Sequence, residues 1–275
     1  MRIAIIGCGY VGKALVQRLR TNSDYVITAT TTTPERVAEL ETIAHRVEVL
    51  KGSDEEAMGE ILQNQDAVLL CVGARGASVY EETYLGTAKT LVSALKQAPT
   101  VQQVIYTGSY SVYGDKKGEW VDEDSPLTPT NENNEILAQT ERVLMTAASP
   151  NLKVCILRLG GIYGPGRELI KIFGRWSGMT RPGAGEDFSN WIHLDDIVGA
   201  LTFALENQLQ GIYNLVGDVP QPSRELLDRI FATHNLPNVA WDASVPSVRP
   251  YNARVSNQKI KDAGYRFIYP EIVEY

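Results

Sequence analysis

The stretch Met1-Arg-Ile-Ala-Ile-Ile-Gly-Cys-Gly-Tyr-Val-Gly-Lys-Ala14 decides how the rest of the chain is read. Ile3, Ala4, Ile5 and Ile6 form a short apolar run, the pattern of a strand covered on both faces. Gly7, Gly9 and Gly12 follow at G-x-G-x-x-G spacing, and Leu15, Val16 and Leu19 continue at helical spacing. Strand, glycine turn and helix in this order have a physical use. Gly7 permits the turn, Gly9 lets the backbone approach a pyrophosphate, and Gly12 lets helix and strand pack closely. The N–H groups of the helix's first turn, at Tyr10, Val11 and Gly12, combine with the helix dipole to favour an anion. The motif predicts a bound dinucleotide rather than a purely structural turn.

Outward from this stretch, strands and helices alternate. Residues 25–30 are rich in β-branched residues and read as a second strand, residues 46–50 as a third, and residues 67–72 as a fully apolar fourth. Residues 104–107 and 154–159 supply a fifth and a sixth. Helical patterns begin at Pro34 and cover 55–63, 80–95 and 132–147. This alternation predicts an α/β fold, a doubly wound parallel sheet. Beyond Gly160, Gly164, Pro165, Gly166, Gly174, Gly178, Pro182, Gly183 and Gly185 loosen the alternation into loops. The expected organisation is a nucleotide domain over residues 1–160. A smaller, mainly substrate-binding lobe would cover 161–275, with segments near 191–216 returning to the first domain.

Composition narrows the function. A net charge of −7, with no Lys/Arg run interleaved with aromatics, argues against a nucleic-acid partner. No apolar stretch approaches the ~18 residues that span a bilayer, and the N-terminus reads as a strand rather than a signal peptide, so a cytoplasmic protein is expected. Cys8, Cys71 and Cys155 fall on or beside predicted buried strands without metal-ligand spacing, as packed, reduced thiols would. With only His45, His193 and His234 besides, no metal site is expected.

Further segments carry a family pattern. Val104-Ile-Tyr-Thr-Gly-Ser-Tyr-Ser-Val-Tyr-Gly114 resembles a strand five with its serine-bearing continuation, and Glu119 to Pro129 an E-x-x-P-x-x-P loop. Leu157-Arg-Leu-Gly-Gly-Ile-Tyr-Gly-Pro-Gly-Arg167, Trp191-Ile-His-Leu-Asp-Asp-Ile197 and Gly211-Ile-Tyr-Asn-Leu215 complete the series. In this order the segments resemble the extended short-chain dehydrogenase/reductase superfamily, the NAD-dependent epimerase/dehydratase group. The resemblance implies a Rossmann-type fold with a small interleaved C-terminal lobe and an oxidoreductase or epimerase-like activity. It also implies a small-molecule substrate, a nucleotide-sugar or a carbonyl compound, and pairing of two copies through the helices after strands four and five. Ser109 matches the serine that hydrogen-bonds the reacting oxygen, Asp54 resembles the adenine-binding aspartate, and Val72, Gly73 and Thr107 fall at cofactor-binding strand ends.

Two departures stand out. The family's glycine loop usually has glycine at the position of Ile6. Where its Tyr-x-x-x-Lys pair should stand, this chain has Asn133 and Leu137. Asn cannot relay a proton at neutral pH and Leu carries no donor, so general acid–base help worth ~10²- to 10⁴-fold is missing unless another group substitutes. Tyr110 and Tyr113 are the candidates for that role, with Tyr163 a third. The alternative is a non-catalytic, nucleotide-bound redox sensor or assembly scaffold.

Cofactor choice is read at the end of strand two. NAD-preferring proteins place an acidic residue there for the ribose 2′-hydroxyl, whereas this chain has Thr30, Thr31, Thr32 and Thr33, then Arg36. Hydroxyls and a guanidinium suit a 2′-phosphate, so NADP is expected, with NAD the alternative. His193 reads as structural. Arg158 and Arg167 are candidate contacts for a substrate phosphate, and the resemblance puts Arg249 in the lobe where family members grip the nucleotide part of a sugar-nucleotide; the alternative for all three is a surface or ion-pair arginine.

Overall fold

The structure is a computed structural model that describes residues 1–74 and 76–273. The chain runs β1 (Arg2–Ile6), α1 (Tyr10–Leu19), β2 (Val26–Thr31), α2 (Val37–Glu41), β3 (Arg46–Val49), α3 (Glu55–Leu62), β4 (Ala67–Leu70), α4 (Thr87–Leu95) and β5 (Gln103–Ser109). It continues through β6 (Asp115–Val121), α5 (Glu132–Met145), β7 (Lys153–Leu159), β8 (Gly161–Tyr163), α6 (Leu169–Phe173), β9 (Thr180–Pro182), β10 (Phe188–Ser189) and β11 (Trp191–His193). The last elements are α7 (Leu194–Glu206), β12 (Gly211–Leu215), β13 (Gln221–Pro222), α8 (Ser223–Thr233), β14 (Ala240–Asp242), β15 (Asn252–Val255) and α9 (Gln258–Asp262).

Seven strands form one sheet in the order β12-β7-β5-β4-β1-β2-β3, parallel wherever β1 to β5 pair. This is the expected doubly wound α/β sheet. Its interior strands are apolar because helices cover both faces; Ile3, Ala4, Ile5, Val68, Leu69 and Leu70 are wholly buried. Each large aliphatic so buried contributes ~1.5–3 kcal/mol relative to exposure. From β1 the chain winds one way through β2 and β3, then returns to build β4, β5 and β7 on the other side. Strand order therefore reverses beside β1, and ligands of open α/β sheets bind outside the strand ends at such a point. Ile6 pairs with Leu70, so the carboxyl ends of β1 and β4 stand side by side there.

One expected helix differs in detail. The segment read as continuous over 80–95 contains a π-helical turn at Glu82–Gly86 before α4. The Thr87 hydroxyl donates to the Glu82 carbonyl five residues back, at 3.4 Å, across the widened turn.

The chain divides into two compact units. The larger comprises Met1–Ser109, Glu132–Leu157 and Val198–Tyr213. The smaller comprises Tyr110–Asn131, Arg158–Ile197 and the chain from Asn214 onward. Within the smaller unit, parallel pairs β6·β15, β8·β11 and β9·β14 and the antiparallel pair β10·β13 surround α6 and α8. One core there gathers Tyr163, Leu169, Phe173, Leu226, Ile230 and Phe231; another gathers Tyr110, Tyr113, Val121, Val216, Ala253 and Val255. Among the described residues no helix is long and apolar enough to cross a membrane.

Candidate functional site

In the larger unit the glycine stretch takes the form its spacing implies. Gly7 has φ of +93°, a left-handed conformation that β-carbon-bearing residues resist, and a β-carbon there would also lie 3.0 Å from the Cys71 carbonyl oxygen. A β-carbon at Gly12 would stand 2.3 Å from the Gly7 carbonyl oxygen, so only glycine lets α1 pack this closely on the loop. A β-carbon at Gly9 would meet nothing within 4 Å. Its surroundings among the described residues are open, which leaves the backbone there approachable. Tyr10 opens α1, no side chain caps the helix, and its first turn holds no acidic residue. The N–H groups of Val11 and Gly12 precede the first carbonyls that α1 could offer them, leaving donors at a positive helix end. This arrangement fits a pyrophosphate. Cys8, between the glycines, is buried, and burial pushes its thiol up to about 12, so it stays protonated beside the start of α1.

Around the end of β2 the four threonines separate into different roles. Thr30 is buried and its hydroxyl accepts the Gly7 N–H at 3.0 Å, pinning the turn. Thr31 is buried too, and its hydroxyl accepts the Thr33 N–H at 3.1 Å. Arg36 instead reaches the loop: its Nη1 donates to the Cys8 carbonyl at 2.7 Å, and its Nε to Glu39 at 3.2 Å. Lys13, one residue beyond Gly12, also pairs with Glu39. Two cations thus share one carboxylate at this corner, and both hold the Glu39 carboxyl below the usual carboxylate range, Lys13 foremost. Neither Lys13 nor Glu39 is apparent from the family pattern. The Arg36–Glu39 pair is visible in sequence only as an i, i+3 spacing on a helix.

The remaining cofactor candidates line strand ends. The Thr107 hydroxyl donates to the Leu70 carbonyl at 3.2 Å and ties β5 to β4. Val72 is half-buried beyond β4, and a β-carbon at the exposed Gly73 would meet nothing within 4 Å. Asp54 is exposed and caps α3, its carboxylate accepting the Ala57 N–H at 3.0 Å. Ser109, half-buried, ends β5. On α5, Asn133 is exposed and Leu137 buried. Among the described residues no group of three or more His, Cys, Asp or Glu side chains is placed to hold a metal ion.

The smaller unit separates the tyrosines. Tyr113 is wholly buried; Arg158 donates to its hydroxyl at 2.8 Å, and that hydroxyl donates to Asn214 at 2.8 Å. Burial pushes its phenol up to about 12 despite the neighbouring guanidinium. Tyr163 is buried against Trp191 and His193, its hydroxyl accepting the Val273 N–H at 3.2 Å. Tyr110, next in the chain after Ser109, meets Tyr251 edge-on, and its hydroxyl accepts from Arg249 Nη2 at 3.0 Å. Arg249 also donates to the Tyr251 carbonyl and the Ser223 hydroxyl. Burial works against its charge, but the two phenols and the bond to Tyr110 carry its pKa above the ordinary value.

His193 ends β11 wholly buried, and burial holds its pKa below the usual value. Its neutral Nδ1 accepts the Asp195 N–H at 3.1 Å at the start of α7, the structural part expected of it. Within the same unit lies a cavity of about 320 Å³, walled by Phe173, Trp176, Trp191, Trp241 and Tyr251 with Arg181 and Arg249 among them.

Residues 3–216 match the NAD dependent epimerase/dehydratase family. Protein YeeZ of Escherichia coli strain K12 is 33% identical over 221 residues, covering 78% of this chain and 77% of YeeZ. Human epimerase family protein SDR39U1 (isoform 2), solved with NADPH, has a TM-score of 0.78 at 20% identity, covering 98% of this chain and 96% of that one. UDP-glucuronic acid 4-epimerase from Bacillus cereus, solved with UDP-glucuronic acid and NAD, also gives 0.78 at 20% identity, covering 95% and 92%. Fold, glycine loop and ordered motifs agree with the family match: the chain belongs to the NAD dependent epimerase/dehydratase family.

Proposed function

We propose that the chain is an NADPH-dependent oxidoreductase in which Tyr110, supported by Arg249, does the proton work of the missing tyrosine. The observation that carries this reading is the 3.0 Å hydrogen bond from Arg249 to the Tyr110 hydroxyl, one residue beyond Ser109. Gly7, Gly9 and Gly12 with the start of α1 would hold the pyrophosphate. Arg36 and Lys13 would turn from their shared partner Glu39 to the 2′-phosphate, and Thr30 to Thr33 put no carboxylate at the end of β2 to repel it. The cofactor, when bound, supplies hydride to a carbonyl carbon. By the family resemblance Ser109 would orient the carbonyl oxygen, and Tyr110, the next residue in the chain, would give that oxygen its proton. As the phenol loses its proton, the Arg249 guanidinium stabilises the charge left on the oxygen, the part a lysine plays in the usual pair. Tyr113 is a weaker candidate because its hydroxyl is enclosed between Arg158 and Asn214. The substrate expected is a small carbonyl compound.

The decisive experiment follows NADPH absorbance against a panel of aldehydes and ketones with the wild-type chain and Tyr110→Phe. Turnover by the wild type, reduced ~10²- to 10⁴-fold in the variant with NADPH affinity unchanged, supports the assignment. Equal rates for the two proteins remove Tyr110 from the chemistry. Tight NADPH binding without turnover of any carbonyl favours the non-catalytic reading, which the Asn133 and Leu137 positions motivate.

A further inference from the structure

The cavity in the smaller unit has an uncommon lining. At about 320 Å³ it lies at the small end of ligand sites, which run ~300–1,000 Å³. Its walls are dominated by Trp176, Trp191, Trp241, Phe173 and Tyr251, large planar faces that suit a flat apolar body. Two guanidiniums stand in these walls. Arg181 lies over the Trp176 ring, 3.8 Å from its centroid, and Arg249 over Tyr251 at 5.1 Å. Among the described residues neither has a carboxylate within ion-pair distance. Arg249 spends its hydrogen bonds on neutral oxygens of Tyr110, Ser223 and Tyr251. The wall's one carboxylate, Asp187, accepts instead from the Ser247 hydroxyl. Asp187 acts on Arg249 only from beyond ion-pair distance; a half-buried guanidinium with no carboxylate in contact is incompletely compensated, and an anion from outside would relieve it. The indole N–H groups of Trp191 and Trp241 are also buried without an acceptor, an exception that calls for a reason because buried tryptophans usually find one.

We infer that this cavity binds a small aromatic carboxylate, its ring among the tryptophans and its carboxylate on Arg181 and Arg249. Planar walls select the ring, paired guanidiniums select the anion, and the modest volume selects a compact molecule over a nucleotide-sugar. Arg249 bonds Tyr110 as well as lining the cavity, which links the anion subsite to the proposed proton donor. Taking the bound acid as substrate rests on the oxidoreductase reading, and the substrate is then an aromatic acid that also carries an aldehyde or ketone. Its carbonyl carbon accepts hydride, two electrons, and its oxygen accepts one proton, giving an alcohol and leaving the carboxylate unchanged. The binding itself needs no turnover.

The test uses the full chain, with calorimetry and intrinsic tryptophan fluorescence as readouts. The probes are 4-formylbenzoate, its neutral methyl ester, cyclohexanecarboxylate and UDP-glucose. The inference expects 4-formylbenzoate to bind and change the fluorescence, with the ester and the non-aromatic acid each at least about tenfold weaker. Arg181→Leu and Arg249→Leu should each weaken the acid ~10- to 100-fold, the worth of a hydrogen bond to a charged group. If Arg249→Leu does not fold, Arg181→Leu and the acid-to-ester ratio still decide. An ester that binds as tightly as the acid, UDP-glucose binding tighter than the acid, or no acid binding overturns it. NADPH binding is titrated in the same samples. NADPH binding without acid binding removes this inference and leaves the oxidoreductase reading intact, whereas acid binding without reduction does the reverse.

Discussion

The glycine loop of the larger unit and the aromatic cavity of the smaller one are two proposed binding sites built from different materials. The loop is made of backbone. The anion specificity proposed for it would come from N–H groups at a helix start and from three places where no β-carbon fits or none is wanted. The cavity is made of side chains drawn from α6, β9, β11, α8, β14 and the segment before β15, brought together only by folding. A backbone site depends on a few consecutive residues. A side-chain site can change its ligand through single substitutions.

Substitutions in the loop should break the fold or the ligand separately, and this is the largest expected contrast. Gly12→Ala forces a β-carbon to 2.3 Å from the Gly7 carbonyl, and overpacking of this kind costs ~1–3 kcal/mol or more. The melting temperature should fall and NADPH binding with it. Gly9→Ala meets nothing among the described residues, so thermal unfolding should be unchanged while NADPH affinity drops. Equal behaviour of the two variants would contradict the roles given to these glycines.

In the smaller unit, Tyr113→Phe removes the hydroxyl that accepts from buried Arg158 and donates to Asn214. Losing these two buried hydrogen bonds costs ~1–3 kcal/mol, visible in urea unfolding, while NADPH affinity of the folded protein should hold. An intact unfolding midpoint with lost turnover would move proton transfer from Tyr110 to Tyr113.

A smaller effect comes from His193. Its folded pKa lies below the ordinary value, so below about pH 6.5 the unfolded chain takes up a proton that the folded chain resists. Its contribution to stability is complete above that value and declines as pH falls toward the depressed folded pKa. Unfolding midpoints measured from pH 8 to 5 should therefore fall more steeply for the wild type than for His193→Asn. A wild-type curve no steeper than the variant's would mean that the ring is not held neutral.

The contrast between the sites also explains what was legible in sequence. The fold was legible because apolar strands alternating with helical periods admit few arrangements, and Gly7, Gly9 and Gly12 each have a geometric reason local to the turn. The division of labour among Thr30, Thr31 and Arg36 was not. All three carry polar groups suited to a ribose phosphate, and only folding shows that the Thr30 hydroxyl is committed to the Gly7 N–H while Arg36 reaches the Cys8 carbonyl. Lys13 joins that corner because the first turns of α1 bring it to Glu39, a meeting without a sequence signal. The Tyr110–Arg249 pair spans 139 positions, and no periodicity connects residues so far apart. Trp191 stood inside a recognised motif, but its place in the cavity wall with Trp241 depends on loops whose glycines disclose turns and not destinations.

Calorimetric titration of the wild type and Arg36→Ala with NADPH and NADH tests the cofactor corner directly. NADPH should bind the wild type more tightly than NADH, and Arg36→Ala should weaken NADPH ~10- to 100-fold, the value of a charge-assisted contact, while leaving NADH nearly unchanged. NADH binding as tightly as NADPH, or an Arg36→Ala chain that keeps full NADPH affinity, would contradict the account.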